Sequence, residues 1–301
     1  MERFVITGGT GTLGGALIEK LLSDGKKQSQ IYVFSRDENK QVAMAARYPE
    51  INYVVGDVAD RDSVYNLLRR GIGTVFHCAA LKHVDKGEDN VRALKRVNLE
   101  GTINVVDGCV RFKVANMVFF STDKAVLPIN AYGFSKALAE KYVQNVLRES
   151  VDDGSYCTNF SIYRWGNVLG SRGSVIEKWV KMINNDQPIF LTDIRMTRFW
   201  ISIEDAVDYV YRTFRSLNMD IRVCPEIKAY PMTNMLMALE EILGKKADKF
   251  VTKPRPGEKI HECLFTSHEH CITSDKSKMY TRVEMIEKLR PIVSQILQKE
   301  K

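Results

Sequence analysis

The chain has 301 residues, 45% of them hydrophobic, and Lys plus Arg outnumber Asp plus Glu by 44 to 37, a formal net charge of +7. Such a composition leaves ample material for the core of one large or two modest domains, and no apolar run reaches the roughly 18 residues of a membrane span. Basic residues never run longer than two together, as at Lys26-Lys27 and Arg69-Arg70, which argues against the cluster or stripe of a nucleic-acid face.

The first predicted strand, Arg3 to Thr7, runs into Gly8-Gly9-Thr10-Gly11-Thr12-Leu13-Gly14-Gly15. A helical pattern over 13–22 follows, through Leu17, Ile18, Leu21 and Leu22. Strand, glycine turn and helix in that order are the context of a dinucleotide-binding fingerprint. Thr7, Gly8, Gly11, Thr12, Leu13 and Gly14 are the candidates: the glycines let backbone N–H groups approach a pyrophosphate and let helix and strand pack closely. The second strand, 31–34, ends in Ser35-Arg36, where a protein preferring NAD usually places a carboxylate. A hydroxyl and a planar guanidinium suit a 2′-phosphate, so the expected cofactor is NADP. After the third strand (51–55), Asp57 and Val58 are placed to meet the adenine. After the fourth (74–78), Ala79 and Ala80 are small enough for the nicotinamide side to lie close.

A helical pattern over 90–110 contains Asn98, a poor helix former, placed either to bridge backbone groups across the sheet or to face solvent. The fifth strand, 117–121, runs out into Thr122-Asp123-Lys124-Ala125, at the carboxyl edge where open α/β sheets bind ligands. The next helix, 132–148, opens with Tyr132-Gly133-Phe134-Ser135-Lys136. Tyr132 and Lys136, at i and i+4, share a face, and Lys136 is expected to lower the phenol pKa from roughly 10. With a helix at 61–70 and a sixth strand at 161–165, the alternation predicts an α/β fold: a doubly wound, Rossmann-type parallel sheet over 1–165.

Beyond residue 166 the alternation breaks, and 166–301 reads as a smaller substrate-binding region with at least one return to the sheet. Its loop cations Arg172, Arg195, Arg198, Lys253 and Arg255 could together clamp a diphosphate, although each alone reads as an ordinary surface residue. His261, Cys263, His268, His270 and Cys271 lie close in sequence, but their spacing matches no zinc finger, and no metal is expected. The six cysteines form no Cys-x-x-Cys pair, so a reduced, cytoplasmic protein is expected. With a first strand predicted from the third residue given, no signal peptide is expected.

Thr7-Gly8-Gly9-Thr10-Gly11 with Tyr132-x-x-x-Lys136 resembles the extended short-chain dehydrogenase/reductases that act on nucleotide sugars. The run Ser121 to Ala125 with Pro128-x-Asn130-x-Tyr132-Gly133-x-Ser135-Lys136 is similar, more narrowly, to UDP-N-acetylglucosamine 4,6-dehydratases. So are Arg164-x-Gly166-Asn167-Val168-x-Gly170 to Ile176, Met196 to Ile201, and Arg255-Pro256-Gly257-Glu258-Lys259-x-His261-Glu262. Trp165 stands where that family has Tyr, and Glu177 where it has Pro. Because Tyr132 is kept where membrane-anchored, C5-retaining members carry Met, the resemblance implies the C5-inverting kind.

It further implies a tightly bound NADP and a UDP-sugar held by Lys82, His83, Asn167, Ser174, Val175, Arg198, Arg255 and Glu258. The chain would then be a homo-oligomer serving bacterial-type surface-glycan biosynthesis. In that chemistry Tyr132, with Thr122 and Lys136, removes the C4-hydroxyl proton as hydride leaves C4. Neutral Lys124 removes the C5 proton, protonated Asp123 gives its proton to the departing C6 hydroxyl, and hydride returns to C6. Two alternatives stand beside it. A nucleotide-sugar C4 epimerase has no use for an acid and base at C5 and C6, and a non-catalytic NADP-sensing protein has no need of Tyr132 and Lys136.

Overall fold

Short runs of Val, Ile and Phe that bury on both faces make parallel strands with helical crossovers. In this computed structural model, which describes residues 1–152, 154, 157–216, 221–266 and 271–298, each predicted strand of the first half forms. The chain passes through β1 (Phe4–Thr7), α1 (Thr12–Ser23), β2 (Ile31–Ser35), α2 (Glu38–Ala45), β3 (Asn52–Val55), α3 (Arg61–Leu68) and β4 (Thr74–His77). Next come α4 (Val84–Glu88), α5 (Val91–Leu94), a π-helical segment (Lys95–Glu100), α6 (Gly101–Arg111), β5 (Asn116–Thr122), α7 (Ala131–Asp152) and β6 (Asn159–Trp165). The second half contains β7 (Asn167–Val168), α8 (Val175–Asn184), β8 (Ile189–Leu191), β9 (Thr197–Ile201), α9 (Ile203–Thr213), β10 (Arg222–Val223) and β11 (Lys228–Pro231). It closes with α10 (Met232–Leu243), β12 (Lys249–Val251), β13 (Cys263–Thr266), β14 (Cys271–Thr273) and α11 (Arg282–Gln298).

The central sheet has seven strands in the order β10-β6-β5-β4-β1-β2-β3. β1 pairs in parallel with both β2 and β4, which puts the reversal of strand order beside β1. That is the switch point where such sheets open a ligand crevice at their carboxyl edge. Every residue of β1, β2 and β4 is buried.

The helix expected over 90–110 is instead α5, a π-helical segment and α6, so Asn98 sits in a widened turn rather than a regular helix. Asn98 is buried, and both ends of its amide find partners off the helix. That exchange compensates for the poor intrinsic helicity of Asn.

The chain divides into two compact units, Met1–Arg164 with Val207–Arg222, and Trp165–Ala206 with Val223–Lys301. The first has a core built on Phe34, Val75, Val106, Met117, Phe119 and Phe160. The second carries the three-stranded sheet β11-β9-β7 and a core around Trp179, Trp200, Tyr230, Leu239 and Leu289. Among the described residues no helix is long and apolar enough to cross a membrane. Cys78, Cys109, Cys157 and Cys224 are free thiols, whereas Cys263 is disulfide-bonded, so the expectation of an all-reduced chain fails there.

Candidate active site

In the first unit the glycine turn carries the features of an anion cradle. Gly8 adopts φ +64, and a Cβ on it would lie 2.9 Å from Ala79 Cα. A Cβ on Gly14 would lie 2.5 Å from Gly9 Cα, so α1 can pack against β1 only with glycine there. Helices α2, α3 and α8 begin on Asp37, Asp60 and Ser174, whose side chains each accept a backbone N–H. Helix α1 begins on Gly11, with no side-chain cap and no acid in its first turn. Its first N–H groups thus keep their positive end for an anion. Ser121 Oγ, at the carboxyl end of β5, is buried without a hydrogen-bond partner among the described residues. These features fit a dinucleotide.

Thr7, Ala79 and Asn98 are joined by a buried polar chain through a residue that the sequence reading passed over, His77. Thr7 Oγ1 accepts from Ala79 N at 3.2 Å and lies 2.8 Å from His77 Nδ1. His77 Nε2 lies 3.1 Å from Thr102 Oγ1, whose own hydrogen goes to Asn98 O at 2.7 Å. Thr102 must therefore accept, so Nε2 carries the ring hydrogen and Nδ1 accepts from Thr7. Burial drops the His77 pKa to about 3, which keeps the ring neutral. Asn98 Oδ1 accepts from Leu81 N at 2.8 Å, and its Nδ2 donates to Leu81 O at 2.9 Å and Ser135 Oγ at 3.1 Å. The open choice for Asn98 thus falls on the bridging role. The signal for His77 was a polar residue ending an otherwise apolar strand.

The predicted reactive groups stand together at the end of β5 and the start of α7. Asp123 is fully buried. Its Oδ1 accepts from Thr122 Oγ1 at 2.9 Å and from Lys124 Nζ at 3.0 Å. The two side chains expected to act as acid and base are thus in direct contact.

Tyr132 is buried, and burial raises its phenol above the ordinary value; Lys124 and a hydrogen bond with Thr122 pull it back down. The expectation that Lys136 lowers this phenol is not met. Lys136 is itself 3% exposed, its Nζ lies 3.9 Å over the Phe119 ring, and burial brings its pKa down to about 7, with Glu140 opposing. Sharing a helix face puts the two side chains in one low-dielectric environment, which disfavours the charged form of each. Glu140 in turn holds Arg164 through Nε at 3.0 Å and Nη2 at 2.5 Å, both side chains being buried.

At the end of β2, Ser35 Oγ accepts from Gln41 Nε2 at 2.9 Å. Arg36 Nη1 lies 3.9 Å from Asp57 Oδ2, and Asn104 Nδ2 donates to Val58 O at 3.0 Å. Lys82 and His83 are exposed on the segment leading into α4.

Within the second unit, Asn167 lies on β7 opposite Trp200 of β9, and Ser174 caps α8, of which Val175 is the first residue. Glu177, at the position where the family carries Pro, accepts from Gly173 N at 2.7 Å and so closes the loop before α8. Arg198 is buried, and its guanidinium donates to Thr197 O, Ile260 O and Lys259 O at 2.8 to 2.9 Å. It also stands 3.8 Å from Glu258 Oε1. Arg198 therefore clasps the 259–260 backbone to β9 and is not the surface loop cation that the sequence suggested.

Arg255 is exposed and forms a turn with Glu258 through Glu258 N to Arg255 O at 3.1 Å. Arg195 is engaged by Asp193 through Nε at 3.0 Å and Nη2 at 2.7 Å. His261 Nδ1 lies 2.8 Å from Thr197 Oγ1; His268 and His270 lie outside the described residues. Among the described residues no group of three or more His, Cys, Asp or Glu could hold a metal.

Residues 4–284 match the family described as "Polysaccharide biosynthesis protein". The chain belongs to this family. Over 282 residues it is 36% identical to a Campylobacter jejuni protein named UDP-N-acetylglucosamine 4,6-dehydratase (inverting), covering 93% of this chain and 82% of that one. It is also 36% identical over 283 residues to a Rickettsia bellii protein named UDP-glucose 4-epimerase, with the same coverage. Among solved structures, Pen from Bacillus thuringiensis superposes with a TM-score of 0.88 at 26% identity, covering 98% of both chains. As a polysaccharide biosynthesis family member with a Tyr-x-x-x-Lys pair beside a glycine turn, the chain is an extended short-chain dehydrogenase/reductase.

Proposed function

We propose that this protein is an NADP-dependent UDP-N-acetylglucosamine 4,6-dehydratase that inverts C5. The observation that carries the reading is the pair of fully buried Asp123 and half-buried Lys124, bonded at 3.0 Å and linked to Tyr132 through Thr122. A C4 epimerase needs a base at the C4 hydroxyl and nothing more, whereas a dehydratase needs an acid and a base in addition. The glycine turn and the uncapped start of α1 would hold the pyrophosphate, with Arg36 at the 2′-phosphate. NADP, when bound, supplies the acceptor of hydride from C4 and the donor that returns it to C6.

The residues supply the proton chemistry. Tyr132 takes the C4-hydroxyl proton, helped by Thr122 and by the positive charge of Lys124, both of which favour the phenolate. The 4-ketone makes the C5 proton acidic. One proton moving along the Lys124 Nζ–Asp123 Oδ1 hydrogen bond converts ammonium and carboxylate into a neutral amine and a carboxylic acid. Full burial of Asp123 favours that uncharged form, since two charges lose solvation together. Lys124 then removes the C5 proton, and Asp123 protonates the C6 oxygen as water leaves. As hydride returns to C6, a solvent-derived proton added to C5 on the face opposite Lys124 inverts that centre. Lys124 and Tyr132 give up the protons they took, one to Asp123 and one to solvent.

A second reading, the C4 epimerase, draws on the Rickettsia relative at equal identity. Proton NMR of UDP-N-acetylglucosamine with the protein and NADP in deuterium oxide separates them. A 4-keto-6-deoxy product deuterated at C5 with L-arabino couplings is expected. UDP-N-acetylgalactosamine in its place would mean an epimerase, and retained C5 configuration would remove the stereochemical part of the reading.

A further inference from the structure

Arg36 is not the only guanidinium at the end of β2. Asp57 follows β3, and its Oδ1 accepts from Ala59 N at 3.0 Å, which fixes the carboxylate. The other oxygen, Oδ2, lies 3.9 Å from Arg36 Nη1 and 3.6 Å from Arg96 Nη2. Arg96 reaches this point from the π-helical segment Lys95–Glu100. That segment sends Asn98 to Leu81 and Ser135. In a helix, positions two apart point to opposite sides, so anchoring Asn98 inward leaves Arg96 toward Asp57. Asn104, on the following helix, bonds Val58 O at 3.0 Å and ties that helix to the same turn. Both arginine side chains remain more than half exposed, at 57% and 63%. The separations exceed hydrogen-bond length, so Asp57 gathers the two cations by charge without using up their donors.

We infer that Arg96 is the second cation of the 2′-phosphate site and a specificity-determining residue for NADP over NAD. The inference rests on the NADP reading above. A phosphate monoester dianion can pair with two planar guanidiniums at once, whereas a ribose hydroxyl offers them no charge. The sequence hid Arg96 because it lies far along the chain from the Ser35-Arg36 signature, and only the π-helical turn brings it to Asp57.

The test is calorimetric titration of the full-length, dinucleotide-stripped protein with 2′,5′-ADP and with 5′-AMP, for the wild type, Arg96→Gln and Arg96→Lys. The wild type should prefer 2′,5′-ADP. Arg96→Gln should weaken that ligand roughly 10- to 100-fold, the value of a charge-assisted contact, and leave 5′-AMP within about twofold. Arg96→Lys, which keeps the charge but not the fork, should fall between. Retention of the full preference by Arg96→Gln, or equal weakening of both ligands, would overturn the assignment of Arg96 and leave the NADP reading intact. A wild type that binds 5′-AMP as tightly as 2′,5′-ADP would overturn the NADP reading itself, and this inference with it.

Discussion

Replacing Lys136 by Met should make the cofactor-free protein more stable and inactive. Lys136 is 3% exposed, and burial lowers its pKa from 10.5 to about 7. Each tenfold change in proton affinity is about 1.4 kcal/mol, so holding this ammonium in the folded protein costs about 5 kcal/mol where both states are protonated. The sign follows from proton counting. Between the folded value near 7 and the unfolded value near 10.5, the unfolded chain binds the extra proton, so stability rises with pH through that window. Below it the cost is present in full. Between about pH 6 and about pH 9 the contribution of this one group should improve by roughly 2–3 kcal/mol.

Met fills nearly the same volume without the charge; beyond the attraction of Glu140, already contained in that net shift, it forfeits the contact with Phe119, at 3.9 Å, worth about 1–2 kcal/mol when desolvated. Thermal melts of wild type and Lys136→Met across that range should show the variant melting higher by several degrees at low pH, the gap narrowing as pH rises. A variant no more stable than wild type at about pH 6, or a gap independent of pH, would refute the reasoning.

Lys124→Ala should lose dehydration by about 10²–10⁴-fold while the fluorescence of reduced nicotinamide still appears on adding substrate; full turnover would remove Lys124 from the mechanism. Gly14→Ala puts a Cβ 2.5 Å from Gly9 Cα and should cost about 1–3 kcal/mol, read as a lower melting temperature, with weaker binding of 2′,5′-ADP. Glu140→Ala leaves the buried guanidinium of Arg164 without its carboxylate and should cost about 3–5 kcal/mol in a denaturant titration; a loss under about 1 kcal/mol would mean that the site relaxes.

The residue string by itself determined the layered α/β class, the glycine turn and the pairing of Tyr132 with Lys136. Each is a local matter: apolar runs of strand length, a turn that only glycine can make, and two side chains one helical turn apart. The strand 117–121 ending in Asp123-Lys124 was legible for the same reason, since a strand's end at the carboxyl edge is a local signal. Only the tertiary structure decided how Tyr132 and Lys136 hold their protons. Burial, a property of the whole packed sheet and helix layer, pushes Tyr132 up and Lys136 down, where spacing alone suggested that the lysine would ease the phenol.

Tertiary contacts also turned Arg198 from a loop cation into a buried clasp on the carbonyls of Lys259 and Ile260. They made His77 a neutral link between Thr7 and Thr102, and brought Arg96 to Asp57. Those partners lie far apart in sequence. Hydrogen bonds and charges act over a few ångströms of space, so the order of residues along the chain carries no local mark of them.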